Sequence, residues 1–219
     1  MSSALSVTME FEVVDQIFIE SGLRIPEHHA YPFGVYDESV KEVASRYRKT
    51  MRSTSHGINE PPYRFERLYA VRLYEIYDTE ELKGWIDKVA LIDDGVLIFY
   101  THCVTEEPGK YDVSSMKFKE VLDYAVNSGV PILTIDEAFK VNGTPRIVFT
   151  FDDGTITDYT TAYPMMKARG VRGTSYIITS NVGDIGVMSW EQIIEMYKDG
   201  WDIQCHTHTH PRLIELELM

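Results

Sequence analysis

Apolar positions along this chain switch repeatedly between helical spacing and short unbroken runs, and that rhythm predicts the fold class. Over residues 8–23, TMEFEVVDQIFIESGL, the positions Met9, Phe11, Val13, Val14, Ile17 and Phe18 follow mostly helical spacing, and Gly22 is placed to end the helix. EHHAYPFG (27–34) reads as a short strand closed by a turn at Pro32 and Gly34. DESVKEVASRY (37–47) predicts a helix capped by Asp37, with Val40, Val43 and Ala44 on one face. KTMRST (49–54) suits a short strand, and SHGINEPP (55–62) an excursion loop. FERLYAVRLYEI (65–76) fits helix or strand and is taken as strand or irregular. Asp78 then caps a helix with a stripe of Leu82, Trp85, Ile86 and Val89.

The second half keeps this beat. GVLIFYTHCV (95–104) has the near-continuous apolar character of a strand buried on both faces. A helix over 114–129 starts at Ser114 or Ser115 and stops at Gly129, and VPILTIDEA (130–138) reads as another buried strand. After the brief polar connection KVNGTP (140–145), strands over 146–154, 172–179 and 201–208 alternate with helices over 158–170 and 189–200. Strands alternating with helices imply parallel βαβ units, in an open sheet or a barrel. No repeat, low-complexity tract or composition break appears, so one domain is expected.

Composition narrows the partners. The formal net charge of −13 leaves no basic surplus to neutralise phosphates, which argues against a nucleic-acid binder and favours neutral or cationic substrates. The two cysteines, Cys103 and Cys205, lack CxxC spacing and read as buried free thiols. The opening MSSALSVTMEFEVVDQ has neither a basic n-region nor an unbroken apolar core, so it does not read as a secretion signal. No apolar run approaches the roughly 18 residues that a membrane span requires. A soluble protein is expected, with its compartment open.

Two stretches carry chemistry. In FTFDDG (149–154) an apolar strand runs into Asp152 and Asp153. Catalytic groups gather at the C-terminal ends of strands in α/β folds, although an Asp-Gly strand-end turn is also common. In CHTHTHP (205–211), His206, His208 and His210 share a face if the segment is a strand, whereas His206 and His210 are neighbours if it is a helical turn. Either way His206 and His210 approach one point. A carboxylate with two neutral imidazoles suits a divalent metal and leaves a position for water. His102, at the end of VLIFYTH, is a core histidine or a general acid facing a cleft.

FTFDDG, HTHTHP, AYPFG and THCV together resemble the polysaccharide deacetylases, the NodB-homology domain of carbohydrate esterase family four. The resemblance implies a distorted (β/α)7 TIM-like barrel and a metal-dependent hydrolase that removes acetyl groups from N-acetylglucosamine polymers such as chitin or peptidoglycan. It assigns Asp153, His206 and His210 to a divalent metal, Zn²⁺ first, with Co²⁺ and Ni²⁺ as the other candidates. It makes Asp152 the general base and His102 the general acid. Phe33, through its backbone N–H, with Tyr31 and Pro32 forms the oxyanion and substrate-binding turn. His208 falls at a variable position and is a bystander.

The motif order differs from the family's. There the TFDDG strand comes first and the YPFG and final-histidine strands later. Here residues 1–139 resemble the later part of the barrel, 146–219 resemble its beginning, and 140–145 join the old ends. The expectation is one circularly permuted domain over 1–219, with a fragment of two tandem domains as the alternative order of events, and a homodimer or swapped oligomer as a further consequence. Two departures stand out: Ala30 occupies the place where the family often has an arginine orienting the base, and Asp87 with Trp85 is only a loose match to the acidic-tryptophan motif. Alternative readings are an acetyl-ester or small-amide hydrolase, or a carbohydrate-binding remnant.

Overall fold

The computed structural model describes residues 6–218. The outermost residues of the one-domain expectation, 1–5 and 219, therefore lie outside the described residues. In chain order the elements are α1 Val7–Glu20, β1 His28–Ala30, α2 Glu38–Tyr47, β2 Thr50–Arg52, β3 Val71–Arg72, α3 Thr79–Ala90, β4 Val96–Thr101, β5 Val104–Thr105, β6 Val113–Ser114, α4 Ser115–Asn127, α5 Ile135–Ala138, β7 Arg146–Asp153, α6 Tyr163–Lys167, β8 Thr174–Ile177, α7 Trp190–Lys198 and β9 Asp202–Cys205. Single 3-10 turns lie at Pro32–Gly34, Phe65–Arg67, Thr179–Asn181 and Leu213–Glu215.

The main sheet has strand order β2-β1-β9-β8-β7-β4-β3, with every pairing parallel. The segment 68–72 reaches both edges. Leu68 bridges Arg52 of β2, while Val71 and Arg72 pair with Phe99 and Tyr100 of β4. The curled sheet thus comes back on itself as a distorted (β/α)7 barrel. Alternation along the strands divides the core in two. Val96, Ile98 and Tyr100 of β4 join Leu68, Ala70 and Val148 inside. Leu97, Phe99, Ile147, Phe149 and Phe151 face the surrounding helices.

Most helix boundaries follow local chemistry. Side chains of Asp37, Asp78 and Ser114 accept backbone N–H groups at the starts of α2, α3 and α4, each such cap contributing about 1 kcal/mol. The stretch 130–138 departs from the strand expectation. Only Ile132 makes a strand-like bridge, to Ile147, and Thr134 opens the short α5 through a reciprocal capping box with Glu137. The helix expected over 158–170 is a π-helical turn at Asp158–Ala162 running into α6. Residues 65–76 resolve as a 3-10 turn followed by β3. Cys205 is buried as expected, and Cys103 is only partly so.

The two ends of the described chain touch. Val7 N–H donates to the Glu217 carbonyl at 2.8 Å, and the Thr8 hydroxyl to Leu218 at 3.2 Å. Helix α1 packs Phe11, Val14 and Phe18 into the core.

Candidate active site

The C-terminal ends of β7, β9, β1 and β4 converge on a cleft of about 480 Å³, whose lining includes Asp152, Asp153, His206, His210, His102 and Phe33. Asp152 and Asp153 end β7. Alternation at a strand end sends the Asp152 side chain into the barrel, where it is 3% exposed, while Asp153 turns to the cleft with φ 73°.

The histidine segment is neither the strand face nor the helical turn considered from sequence. Strand β9 stops at Cys205, and His206 N–H makes the last ladder bond, to the Ile177 carbonyl at 2.9 Å. Thr207 then takes φ 68° and His210 φ 56°, and His210 N–H donates to the Thr207 hydroxyl oxygen at 2.9 Å. This left-handed turn brings His210 back over His206. Among the described residues five non-glycines have positive φ, and four of them, Phe33, Asp153, Thr207 and His210, belong to this site or its loop. Each costs about 1–2 kcal/mol in isolation, so the surroundings must hold them there.

The arrangement of donors fits a divalent metal. The Nε2 atoms of His206 and His210 lie 3.2 Å apart, and they stand 3.5 and 3.8 Å from Asp153 Oδ1. Tetrahedral ligands at zinc-like bond lengths are separated by roughly 3.4 Å. Asp153 Oδ1 is buried and makes no hydrogen bond, an expensive arrangement for a carboxylate oxygen unless a cation faces it. The Nδ1 of His206 sits 2.7 Å from the Ala30 carbonyl, which fixes that nitrogen as the donor and frees Nε2 as a lone pair. Burial pushes the His206 pKa down, and burial together with neighbouring His206 lowers that of His210 to about 3, so both imidazoles are neutral. A second grouping, Glu27, His28 and Asp136, differs in kind. There Lys49 pairs with Glu27, and Arg24 and Lys140 with Asp136, so the chain's own cations already answer the carboxylates.

Asp152 is held by a residue that sequence reasoning missed. Arg52 Nη2 donates to Oδ1 at 2.7 Å and Oδ2 at 2.6 Å, and the guanidinium is 1% exposed. It is packed against the rings of Tyr100 and Tyr176, at 4.6 and 5.3 Å. Burial alone would raise the Asp152 pKa, but the Arg52 charge and its hydrogen bonds bring it below the usual carboxylate value. The arginine absent at Ala30 is thus replaced in space from β2, the neighbour of β1 in the sheet. The surrounding TMRS carries no local signal of this role.

His102 follows β4 with Nδ1 3.3 Å from the Tyr111 carbonyl and Nε2 4.0 Å from Asp153 Oδ2, so its free nitrogen faces the cleft. Phe33 stands on the rim, half exposed, its ring 4.6 Å from that of His210 and 4.8 Å from the Arg212 guanidinium. Gly34 must lack a side chain there, since a Cβ would lie 2.1 Å from the Thr54 hydroxyl. Tyr31 is a wall of the cleft, its hydroxyl donating to the Glu66 carbonyl at 3.0 Å. Pro32 is buried in the turn and does not line the cleft. Asp87 accepts from Tyr124, and Trp85 packs on His56 and Lys88, so α3 delivers neither to the site. Arg72 and Tyr74 also line the cleft, from a segment whose local pattern carried no chemical signal, as does Tyr111 of the loop that follows His102.

His208 points elsewhere, its Nδ1 2.9 Å from the Thr179 hydroxyl. His208→Ala is therefore expected to change Zn²⁺ affinity by less than about threefold, less than 1 kcal/mol. Chelator competition checks this, and a tenfold loss would show that His208 does coordinate.

Residues 140–217 match the model of the polysaccharide deacetylase family. The chain is 31% identical over 120 residues to a poly-beta-1,6-N-acetyl-D-glucosamine N-deacetylase of Staphylococcus aureus, covering 50% of this chain and 41% of that protein. It is 28% identical over 115 residues to the enzyme of that name from Staphylococcus epidermidis, covering 48% and 40%. Among solved structures, BC0361, a polysaccharide deacetylase from Bacillus cereus, superposes with a TM-score of 0.51 at 26% identity, covering 55% of this chain and 41% of that one. Over residues 140–217 the chain is thus similar to the polysaccharide deacetylases, and it spans about two fifths of the length of the curated relatives it matches.

Proposed function

We propose that this domain is a divalent-metal-dependent N-deacetylase acting on an N-acetylglucosamine-containing polysaccharide. The observation that carries this reading is the unpaired, buried Asp153 Oδ1 facing two neutral imidazoles, beside a separately ion-paired Asp152. Asp153, His206 and His210 would hold the cation, which would supply Lewis acidity toward an amide carbonyl and a water molecule. Asp152, kept ionised by Arg52, takes the proton from the attacking water. His102, with Nδ1 toward the Tyr111 carbonyl, faces the cleft with Nε2 and, in its imidazolium form, gives the Nε2 proton to the departing amine. The backbone N–H of Phe33 would offer a hydrogen bond to the developing oxyanion. Supporting the substrate class, both staphylococcal relatives bear the name of a poly-N-acetylglucosamine deacetylase. The buried Arg52–Asp152 pair counts against a carbohydrate-binding remnant, which has no use for an oriented base.

The same proposal covers the chain order: one circularly permuted domain, 1–139 followed by the joining 140–145 and then 146–219. Its support is the contact between residues 7–8 and 217–218, together with relatives that match only about half of the chain.

Metal content and acetate release test the reading together. Wild type is expected to hold about one Zn²⁺ per chain and to release acetate from N-acetylglucosamine oligomers, whereas His206→Ala loses both. No metal in either protein would sink it.

A further inference from the structure

Helix α1 carries a fully buried carboxylate, Glu10, with 0% exposure. Its partners all lie in the histidine loop. Oε2 accepts the N–H groups of His208 and Thr209, both at 2.8 Å, and Oε1 accepts the Thr209 hydroxyl at 2.6 Å. Three donors converge on one carboxylate from two consecutive residues lying between His206 and His210. Charge-assisted bonds of this kind are roughly twice as strong as neutral ones, and burial excludes water as a substitute acceptor.

The two metal-site histidines depend on this contact unequally. His206 sits at the end of a paired strand and is fixed by its own bonds to Ile177 and Ala30. His210 lies beyond the strand, at the far end of a turn with φ 68° at Thr207 and 56° at His210, conformations that a free peptide of these residues avoids. Within that turn, the His210 N–H bond to Thr207 closes the loop on itself but does not anchor it to the barrel. The segment after β8 ties one side of the turn, with Ser180 N–H donating to the His208 carbonyl at 3.0 Å and the Thr179 hydroxyl 2.9 Å from His208 Nδ1, and Glu10 ties the other side through the N–H groups nearest His210, from an element outside the stretch that matches the family model.

We infer that Glu10 is a positioning residue for the metal site: it holds the 207–210 turn so that His210 Nε2 meets His206 Nε2 and Asp153 Oδ1. This deepens and rests on the metal-site reading above. Without the carboxylate the turn relaxes toward negative φ, His210 swings away, and two of three protein donors remain. Glutamine in its place can keep its carbonyl oxygen on the two N–H groups and turn its NH2 to the Thr209 hydroxyl, but it loses the charge, so the bonds that hold the turn become neutral ones about half as strong.

The test compares Glu10→Gln with Val14→Ala, which removes buried apolar contact from the same helix without touching the loop. Zn²⁺ affinity by chelator competition, the visible spectrum of the Co²⁺ form and urea unfolding of the metal-free chain are measured for each. Glu10→Gln is expected to weaken Zn²⁺ binding by about tenfold to a hundredfold, the range for groups that orient metal ligands, and to alter the Co²⁺ spectrum. Val14→Ala should lower stability with affinity and spectrum unchanged. Equal affinity losses in the two variants, or none in Glu10→Gln, would overturn the inference. Glu10→Asp, with the carboxylate drawn back by one methylene, carries the same expectation if Glu10→Gln does not fold. Wild type that binds no Zn²⁺ would remove the metal-site reading and this inference with it. Wild type that binds normally beside an unaltered Glu10→Gln removes the inference alone.

Discussion

Arg52→Met is expected to destabilise the metal-free chain by about 3–5 kcal/mol at neutral pH, because it leaves the Asp152 carboxylate buried without a counter-ion. The sign of its pH dependence follows from the two opposing influences on Asp152. In wild type the Arg52 charge outweighs burial and the folded pKa is depressed. The group then contributes stability that is present above its unfolded pKa and lost as pH falls through the folded one. In the variant burial acts unopposed, the folded pKa lies above the unfolded value, and the ionised group is a penalty at neutral pH that vanishes on acidification. The gap between the two proteins should therefore be widest near pH 7 and shrink toward pH 4. Urea unfolding at several pH values measures it. A gap that stays constant with pH would show that lost packing against Tyr100 and Tyr176, rather than the ion pair, sets the cost.

Asp152→Asn separates the base from the cation. Asparagine keeps the shape and a hydrogen-bond acceptor for Arg52 but takes no proton at neutral pH. Turnover on N-acetylglucosamine oligomers is expected to fall by about 10²–10⁴, the range for loss of a general base, while Zn²⁺ binds with near-wild-type stoichiometry. A kcat within tenfold of wild type would place the proton transfer elsewhere. Arg52→Met should also reduce turnover, and its profile should shift toward higher pH, since a base with a raised pKa is ionised only there.

How far the sequence reached depends on the range of the interaction involved. Ser114 and Asp78 announced their helices because a cap acts within three residues. The same local logic was available at Thr134 and Glu137, where the capping-box spacing outweighs the apolar look of 130–138. His206 and His210 were visible as candidate ligands because they sit four residues apart, but the turn that unites them was not. It relies on left-handed conformations at Thr207 and His210 that neither residue prefers and that distant groups enforce. Arg52 was missed for the same reason. Its partner lies 100 residues away, and nothing near it in sequence marks it as functional. Ala30 suggested a lost arginine, whereas the fold brings one in from the adjacent strand.

The meeting of residues 7–8 with 217–218 bears on the order in which the molecule can assemble. The contact between Glu10 and His208 spans 198 residues of chain. Were the two ends continuous, the same pair would be separated by only a short stretch, and the logarithmic scaling of loop closure makes the present arrangement about 2 kcal/mol more demanding in chain entropy. Strand pairs such as β7 with β8 close over far shorter distances. The barrel wall can therefore form before the turn bearing His210 is seated against α1, which leaves that corner of the site to be completed last.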